Sequence, residues 1–309
     1  MNEPQRLLAR VALAGMLLVL LVTTSSAYMR LTAAGLGCAD WPACYGRDAT
    51  APGQPLVERA TPLTPLARLL HRVSASAAGA TVLAIALIAF VNRRVLAREL
   101  NIALALLALT LGLALLGRAT PSAQSPAVAM GNLLGGMLMA AMLCWIALGN
   151  SIRLRPPVPR RLPWLSGLAL AMLSVQLVLG AMNSATYSAL ACTTLPDCAG
   201  QWWPASWSAN EFDVRLPHSA RSGPSVAVHL AHRYAALAVA ATSLALAGVL
   251  WRRGRGLALA VGGFVTLQLA LGTIMVWLSL PLALVLLHNV TAVLLLLALV
   301  AAHRALLAR

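Results

Sequence analysis

Eight windows of about 20 residues run through this chain without an acidic side chain: 9–27, 70–91, 101–117, 127–149, 164–182, 227–250, 256–277 and 281–301. Wound as a helix, a stretch of that length matches the hydrocarbon thickness of a bilayer. Lipid offers no water to backbone amides and carbonyls, so an open segment must be helical to satisfy them. The chain therefore reads as an all-α membrane protein with eight transmembrane helices. Composition agrees, since 60% of the 309 residues are hydrophobic and only 10% are charged, a balance foreign to soluble domains.

The net charge is +15, and all 23 basic residues are arginine. Such a charge can mark a nucleic-acid partner, but here its placement follows the gaps between windows. One set of alternate gaps and both ends hold 14 arginines and two acids, Glu3 and Glu99; the other side holds nine arginines and six acids. By the positive-inside rule both termini are cytoplasmic, and no nucleic acid is needed. The lipid bilayer is the expected partner, and a bacterial inner membrane the expected location. The first window also resembles a secretory signal, with Ser25-Ser26-Ala27 as a cleavage site. It is long for such a segment, and its loss would leave the two halves unequal.

Long outer connections, 28–69 and 183–226, alternate with short ones, 118–126 and 278–280. The repeat divides the chain into an N-terminal half, 1–150, a cytoplasmic linker rich in proline and arginine, 151–163, and a C-terminal half, 164–309. Two pseudo-symmetric four-helix bundles are expected. Small residues such as Gly131, Gly135 and Gly272 suit close helix contact.

Each long outer connection carries a cysteine pair with five residues between, Cys38/Cys44 and Cys192/Cys198. Outside the inner membrane such pairs oxidise readily. A structural staple, a redox-active or transfer-competent pair, and a zinc site of four thiolates are all compatible with this pattern, although the spacing is unlike that of zinc ribbons. Cys144 lies within the fourth window and reads as a packing residue.

A histidine–arginine step follows each pair, His71-Arg72 and His232-Arg233, in the first turns of the second and sixth windows. His288 lies about two turns into the eighth window, which also enters from outside. Ionisable side chains within spans are costly and point to function. Facing histidines in a helical bundle are a recognised way to hold haem iron. His232 and His288 fall on alternate spans of one half at matching depth, so they are the candidate bis-histidine pair. In the first half the position matching His288 is Asn132, and an amide is a poor iron ligand. His71 would then face an open or weakly filled sixth position. A closed site favours electron transfer and an open one favours chemistry. Arg72 and Arg233 suit outward haem propionates, or equally lipid phosphates. His229, one turn before His232, is a candidate supporting or proton-transferring group. His218 in the loop and His303 near the cytoplasmic end carry no special expectation.

At these residues the chain resembles the haem A synthase family of bacterial and mitochondrial membranes. The string from Arg30-Leu31-Thr32 to Gly46, with Cys38-Ala39-Asp40-Trp41-Pro42-Ala43-Cys44 inside it, carries the resemblance. So does Cys192 to Pro204, ending Gly200-Gln201-Trp202-Trp203-Pro204, followed by His229-x-x-His232-Arg233. Essentially the whole chain is covered. The resemblance implies an oxidoreductase that oxidises the C8 methyl of haem O, its substrate, to a formyl group by successive hydroxylations. Electrons would pass through a haem b cofactor held by His232 and His288. His71 and Asn132 become the candidate catalytic positions, and Cys38 and Cys44 a loop pair tied to activity. The haem O-producing prenyltransferase and terminal oxidase assembly factors are the implied protein partners.

Two departures matter. Many family members carry a second histidine where this chain has Asn132, and a glutamate one turn before the first histidine, where it has Arg68. Glu58 is too far along the loop to stand in. A non-catalytic haem-binding or haem-transfer protein is thus the second reading, and a b-type electron carrier the third. Acid-rich metal-diphosphate motifs are missing, so haem O synthesis itself is not expected.

Overall fold

The computed structural model describes residues 2–33, 63–119, 125–149, 152, 154–155, 161–205, 208–217, 221 and 223–307. Among them, eight helices are long and apolar enough to cross a membrane. They are α1 (Glu3–Ala33), α2 (Thr64–Val91), α3 (Ala97–Ala119), α4 (Pro126–Leu148), α5 (Leu162–Ala185), α6 (Val226–Leu250), α7 (Arg255–Trp277) and α8 (Leu282–Leu307). No strand forms among the described residues. The eight windows are the eight helices, and the protein is a multi-pass membrane protein.

Several helices run past their windows. α1 begins at Glu3, α2 at Thr64 and α3 at Ala97. Hydropathy marks only the stretch in hydrocarbon, whereas helical hydrogen bonding continues into the interface, where Arg and Glu reach water. Local chemistry sets the starts. Ser125 and Ser225 cap α4 and α6, their hydroxyls accepting from the Ala127 and Val228 amides. Proline stands in the first turn of α2, α4 and α5, where its missing N–H costs nothing.

In the first half α1 packs on α2 and α4, and α3 joins α2 to α4. In the second, α5 and α7 both flank α6, and α8 closes against both of them. This pattern fits two four-helix bundles. α4 meets α5 and α8, and α1 meets α8, so the halves share one apolar core. α8 lies deepest, with Leu295, Leu299 and Leu306 fully buried. It is apolar on every side, as a helix surrounded by protein must be. α1 contributes Leu8, Ala12 and Val19 to the core.

Outward leucines such as Leu17, Leu87, Leu115 and Leu237 are exposed and face lipid. Exposed Trp202, Trp203 and Trp277 stand at one end of the bundle, and Trp164 and Trp251 at the other. Tryptophan prefers the two membrane–water interfaces, so the molecule carries an aromatic belt at each.

Candidate functional site

Helix starts put the candidate ligands at one depth. Asn132, His232 and His288 are each the seventh residue of α4, α6 and α8, and His71 is the eighth of α2. The bond made by each ring decides its tautomer. The Gln176 amide on α5 sits 3.4 Å from Nε2 of His232, and the Gln268 amide on α7 sits 3.1 Å from Nε2 of His288. With the amide N–H as donor, each ring Nε2 accepts and the proton is on Nδ1. His71 reaches the same state differently. Its Nδ1 faces the Val22 carbonyl at 3.4 Å, which can only accept. All three imidazoles therefore keep the Nε2 lone pair that a metal ligand needs.

Glycine makes room for the two rings of the second half. A Cβ at Gly180, one turn from Gln176, would come within 2.9 Å of the His232 Cε1, and one at Gly272, one turn from Gln268, within 3.6 Å of the His288 Cε1. Each imidazole is thus seated on a glycine and held by a glutamine of the neighbouring helix. Nδ1 of both rings and Oε1 of both glutamines are buried without a hydrogen-bond partner. Neither glutamine was picked out from sequence. The strings Gln176-Leu177-Val178-Leu179-Gly180 and Gln268-Leu269-Ala270-Leu271-Gly272 carried the signal, as a second internal repeat. Gly272, expected only to ease helix contact, lies against a ligand candidate.

Outside the membrane, Cys192 and Cys198 form a disulfide, which removes two thiolates from any four-thiolate zinc site. Arg233 ties this loop to α6. Its Nη1 donates to the Thr194 and Asp197 carbonyls at 2.9 and 2.8 Å, and its Nη2 to the Cys192 carbonyl at 2.9 Å. The Tyr234 hydroxyl donates to the Trp202 carbonyl beyond the loop. His229 is buried, and its Nδ1 donates to the Ser188 carbonyl at 3.0 Å. The Ser188 hydroxyl in turn accepts the Ser225 amide at 2.9 Å. His229 therefore braces the loop against the start of α6.

Segment 208–217 crosses between the halves. The Val214 carbonyl accepts from the Ser125 hydroxyl at 2.6 Å and the Ala127 amide at 3.1 Å, both at the start of α4. Phe212 and Val214 pack against a buried cluster that includes Met130 of α4 and Met182 of α5. Arg215, bonded to the Asp213 carboxylate at 2.9 Å, holds that carboxyl down to about 2. Arg30 of α1 donates to the Ser184 hydroxyl of α5, a further link between the halves.

The first half is plainer. Asn132 is half-buried on α4, and Arg68 and Arg72 are exposed on α2. Arg72, unlike Arg233, stands on a lipid- or water-facing surface. Leucines of α3 lean on the α4 glycines: a Cβ at Gly131 would meet Leu116 at 2.7 Å, and one at Gly135 would meet Leu113 at 2.5 Å. The helix surface that bears an amide in α7 is aliphatic here. Cys38, Cys44 and His218 lie outside the described residues. At the inner end, His303 bonds the Ser166 hydroxyl at 2.8 Å and tilts against Trp145, while buried Cys144 points at the Leu297 carbonyl. Both are packing residues.

No group of three or more His, Cys, Asp or Glu side chains able to hold a bare ion gathers among the described residues. Two imidazoles without further protein donors would suit a metal that brings most of its own donors, as haem iron does. The family model of COX15-CtaA, described as cytochrome oxidase assembly protein, matches residues 9–300. The chain belongs to the COX15-CtaA family. Among curated relatives of this COX15-CtaA member is the heme A synthase of Shewanella oneidensis, 33% identical over 320 residues, 95% of this chain and 94% of that protein. The heme A synthase of Rhizorhabdus wittichii is 30% identical over 172 residues, 54% of this chain and 48% of its own length. In the COX15-CtaA frame, the second half has two supported imidazoles and the first half has one.

Proposed function

We propose that the chain is a haem A synthase, an integral-membrane oxidoreductase that converts the C8 methyl of haem O to a formyl group. Two hydroxylations would take the methyl through the alcohol to the gem-diol, which loses water to leave the aldehyde. Each is a two-electron oxidation that draws an electron acceptor and an oxygen atom from outside the protein. One observation carries the division of labour: His232 and His288 are matched in depth, tautomer and support, whereas at the same depth the first half presents His71 and Asn132. The second half keeps its haem, and the first works on one.

The donor set fits haem b in the C-terminal half. His232 and His288 would hold it through Nε2, and when bound it would supply one-electron transfer. The glycine seats leave the rings room, and the buried Nδ1 atoms are those of a ligand whose outer bond is still unmade. Arg233 spends its Nη groups on the disulfide loop, and its Nε–H, buried without an acceptor, is left for an outward propionate. Arg72, exposed at the matching place, meets lipid phosphate or a propionate of the substrate haem. In the first half the Val22 carbonyl holds His71 with its lone pair on Nε2, ready to address the substrate iron. Asn132, an amide, would be a poor iron ligand at the matching depth of α4. Both termini lie in the cytoplasm, the disulfide loop lies outside, and the membrane is the bacterial inner membrane. The prenyltransferase that makes haem O and the oxidase assembly factors are the expected partners.

Asn132 and the exposed Arg68 favour one other reading, a haem carrier without chemistry. Expression in a host that supplies haem O, followed by extraction and chromatography of haems, separates the two. Haem A in the extract is expected; bound haem B and haem O without haem A would establish the carrier. His232→Ala and His288→Ala should each lose the low-spin b-haem spectrum. His71→Ala should keep that spectrum and yield no haem A.

A further inference from the structure

We propose that Gln176 and Gln268 are positioning residues for the two haem ligands: each amide holds its imidazole with the Nε2 lone pair free, and then accepts the Nδ1–H once iron takes Nε2. The inference rests on the assignment of His232 and His288 as ligands.

The observation behind it is a double coincidence. In each of two places in the second half the amide nitrogen lies at ring Nε2, at 3.4 and 3.1 Å, while ring Nδ1 and amide Oε1 are both buried and unpartnered. The bond from the amide puts the ring proton on Nδ1, so each site holds one orphan donor and one orphan acceptor. A buried polar group left unpaired costs about 1–3 kcal/mol, and here there are four such atoms in two complementary pairs. A group that claims Nε2 releases the amide from its only hydrogen bond. The same amide can then turn Oε1 to the Nδ1–H, which removes both orphans at once. An acceptor on the outer nitrogen is what metal-bound histidine regularly has; it fixes the ring and raises its basicity.

Placement argues against accident. Gln176 and Gln268 are each the tenth residue from the outer end of their helices, α5 and α7. Each is followed four residues on by the glycine that seats the same histidine. The first half lacks the arrangement. Thr266-Leu267-Gln268-Leu269-Ala270-Leu271-Gly272 aligns with Thr110-Leu111-Gly112-Leu113-Ala114-Leu115-Leu116 in the register that aligns His288 with Asn132. Glycine replaces the amide there and leucine replaces the seat. His71 instead has a backbone carbonyl as its acceptor, a partner that cannot be drawn away. Among the described residues, side-chain amides meet the His232 and His288 rings, whereas His71 meets a backbone carbonyl.

The test uses the full-length protein purified with haem b, without reference to haem A formation. Gln176→Leu and Gln268→Leu are apolar swaps within membrane helices, and size exclusion reports whether each remains folded. Each should keep a low-spin haem whose midpoint potential is raised, because a ligand without its acceptor is less basic and stabilises ferric iron less. A tenfold change in the ferric–ferrous equilibrium corresponds to about 59 mV for one electron, and a shift of that order is expected. Gln176→Glu and Gln268→Glu, which keep an acceptor, should return the potential to the parent value or below it. Wild-type potentials and electron paramagnetic resonance g-values in both leucine variants would overturn the proposal. Should a leucine variant elute folded but without haem, restoration of haem by the glutamate variant supports the role, and failure to restore it overturns the role. The ligand assignment is checked apart from this by His232→Ala and His288→Ala. If either keeps the wild-type low-spin haem, that assignment fails and the glutamine role falls with it.

Discussion

At the scale of single residues, the second half is organised around two ring edges. The seat at Gly180 is the tighter, since a Cβ there would lie 2.9 Å from the His232 ring, against 3.6 Å for Gly272 and His288. The first distance is a clash and the second an ordinary contact. Gly180→Ala should therefore shift the His232 imidazole and weaken haem b retention by roughly tenfold, the low end of the loss seen when groups supporting metal ligands are altered. Gly272→Ala should retain haem like the parent protein. Haem content after dialysis against apomyoglobin measures both, and equal retention in the two variants would contradict the difference in seating. His229 differs in kind from its neighbour one turn on. Its Nδ1–H is committed to the Ser188 carbonyl, so it belongs to the brace beneath the outer loop.

At the scale of elements, Arg233 joins a membrane helix to an outer loop. Its three bonds reach carbonyls within the disulfide-closed loop: Cys192, Thr194 and Asp197. The crosslink closes a very short loop, worth about 2 kcal/mol in chain entropy. The arginine adds charge-assisted bonds of about 1.5–3 kcal/mol each before losses. Arg233→Ala should leave the disulfide formed but more open to reductant, with a thermal midpoint several degrees below the parent. Maleimide mass-tagging across a dithiothreitol series reads the first effect. Unchanged reduction would mean the loop is held by the Tyr234 and His229 contacts instead. Segment 208–217 acts as a second connector, since Val214 caps α4. The helix that bears Asn132 thus begins on an outer segment of the other half.

For the whole molecule, orientation follows from arginine and packing from α8. Activity reporters fused within 151–163 or after 303 should report the cytoplasm, and fusions within 183–205 the outside. The opposite pattern would invert the bundle and place the disulfide loop in a reducing compartment, where it would not persist. The halves meet through the shared core around α8 and through Arg30 and Ser184. The proposed sites of the two halves are therefore built into one body, joined along the α4–α5–α8 seam.

The chain's hydropathy pattern alone determined the eight spans, because length and apolar composition decide what lipid accepts. The depth of His71, His232 and His288 was legible too, since helical rise converts position into depth. The resemblance carried by the cysteine loops pointed to the family. Tertiary structure alone decided which atoms these histidines face. Gln176 and Gln268 read as ordinary polar residues in apolar runs, and nothing local to α5 or α7 says which helix each addresses. Arg233 and Arg72 look equivalent in sequence, yet one is drawn into a ring of loop carbonyls and the other is exposed. Helix rotation and neighbour identity make these differences, and both come from packing eight helices together.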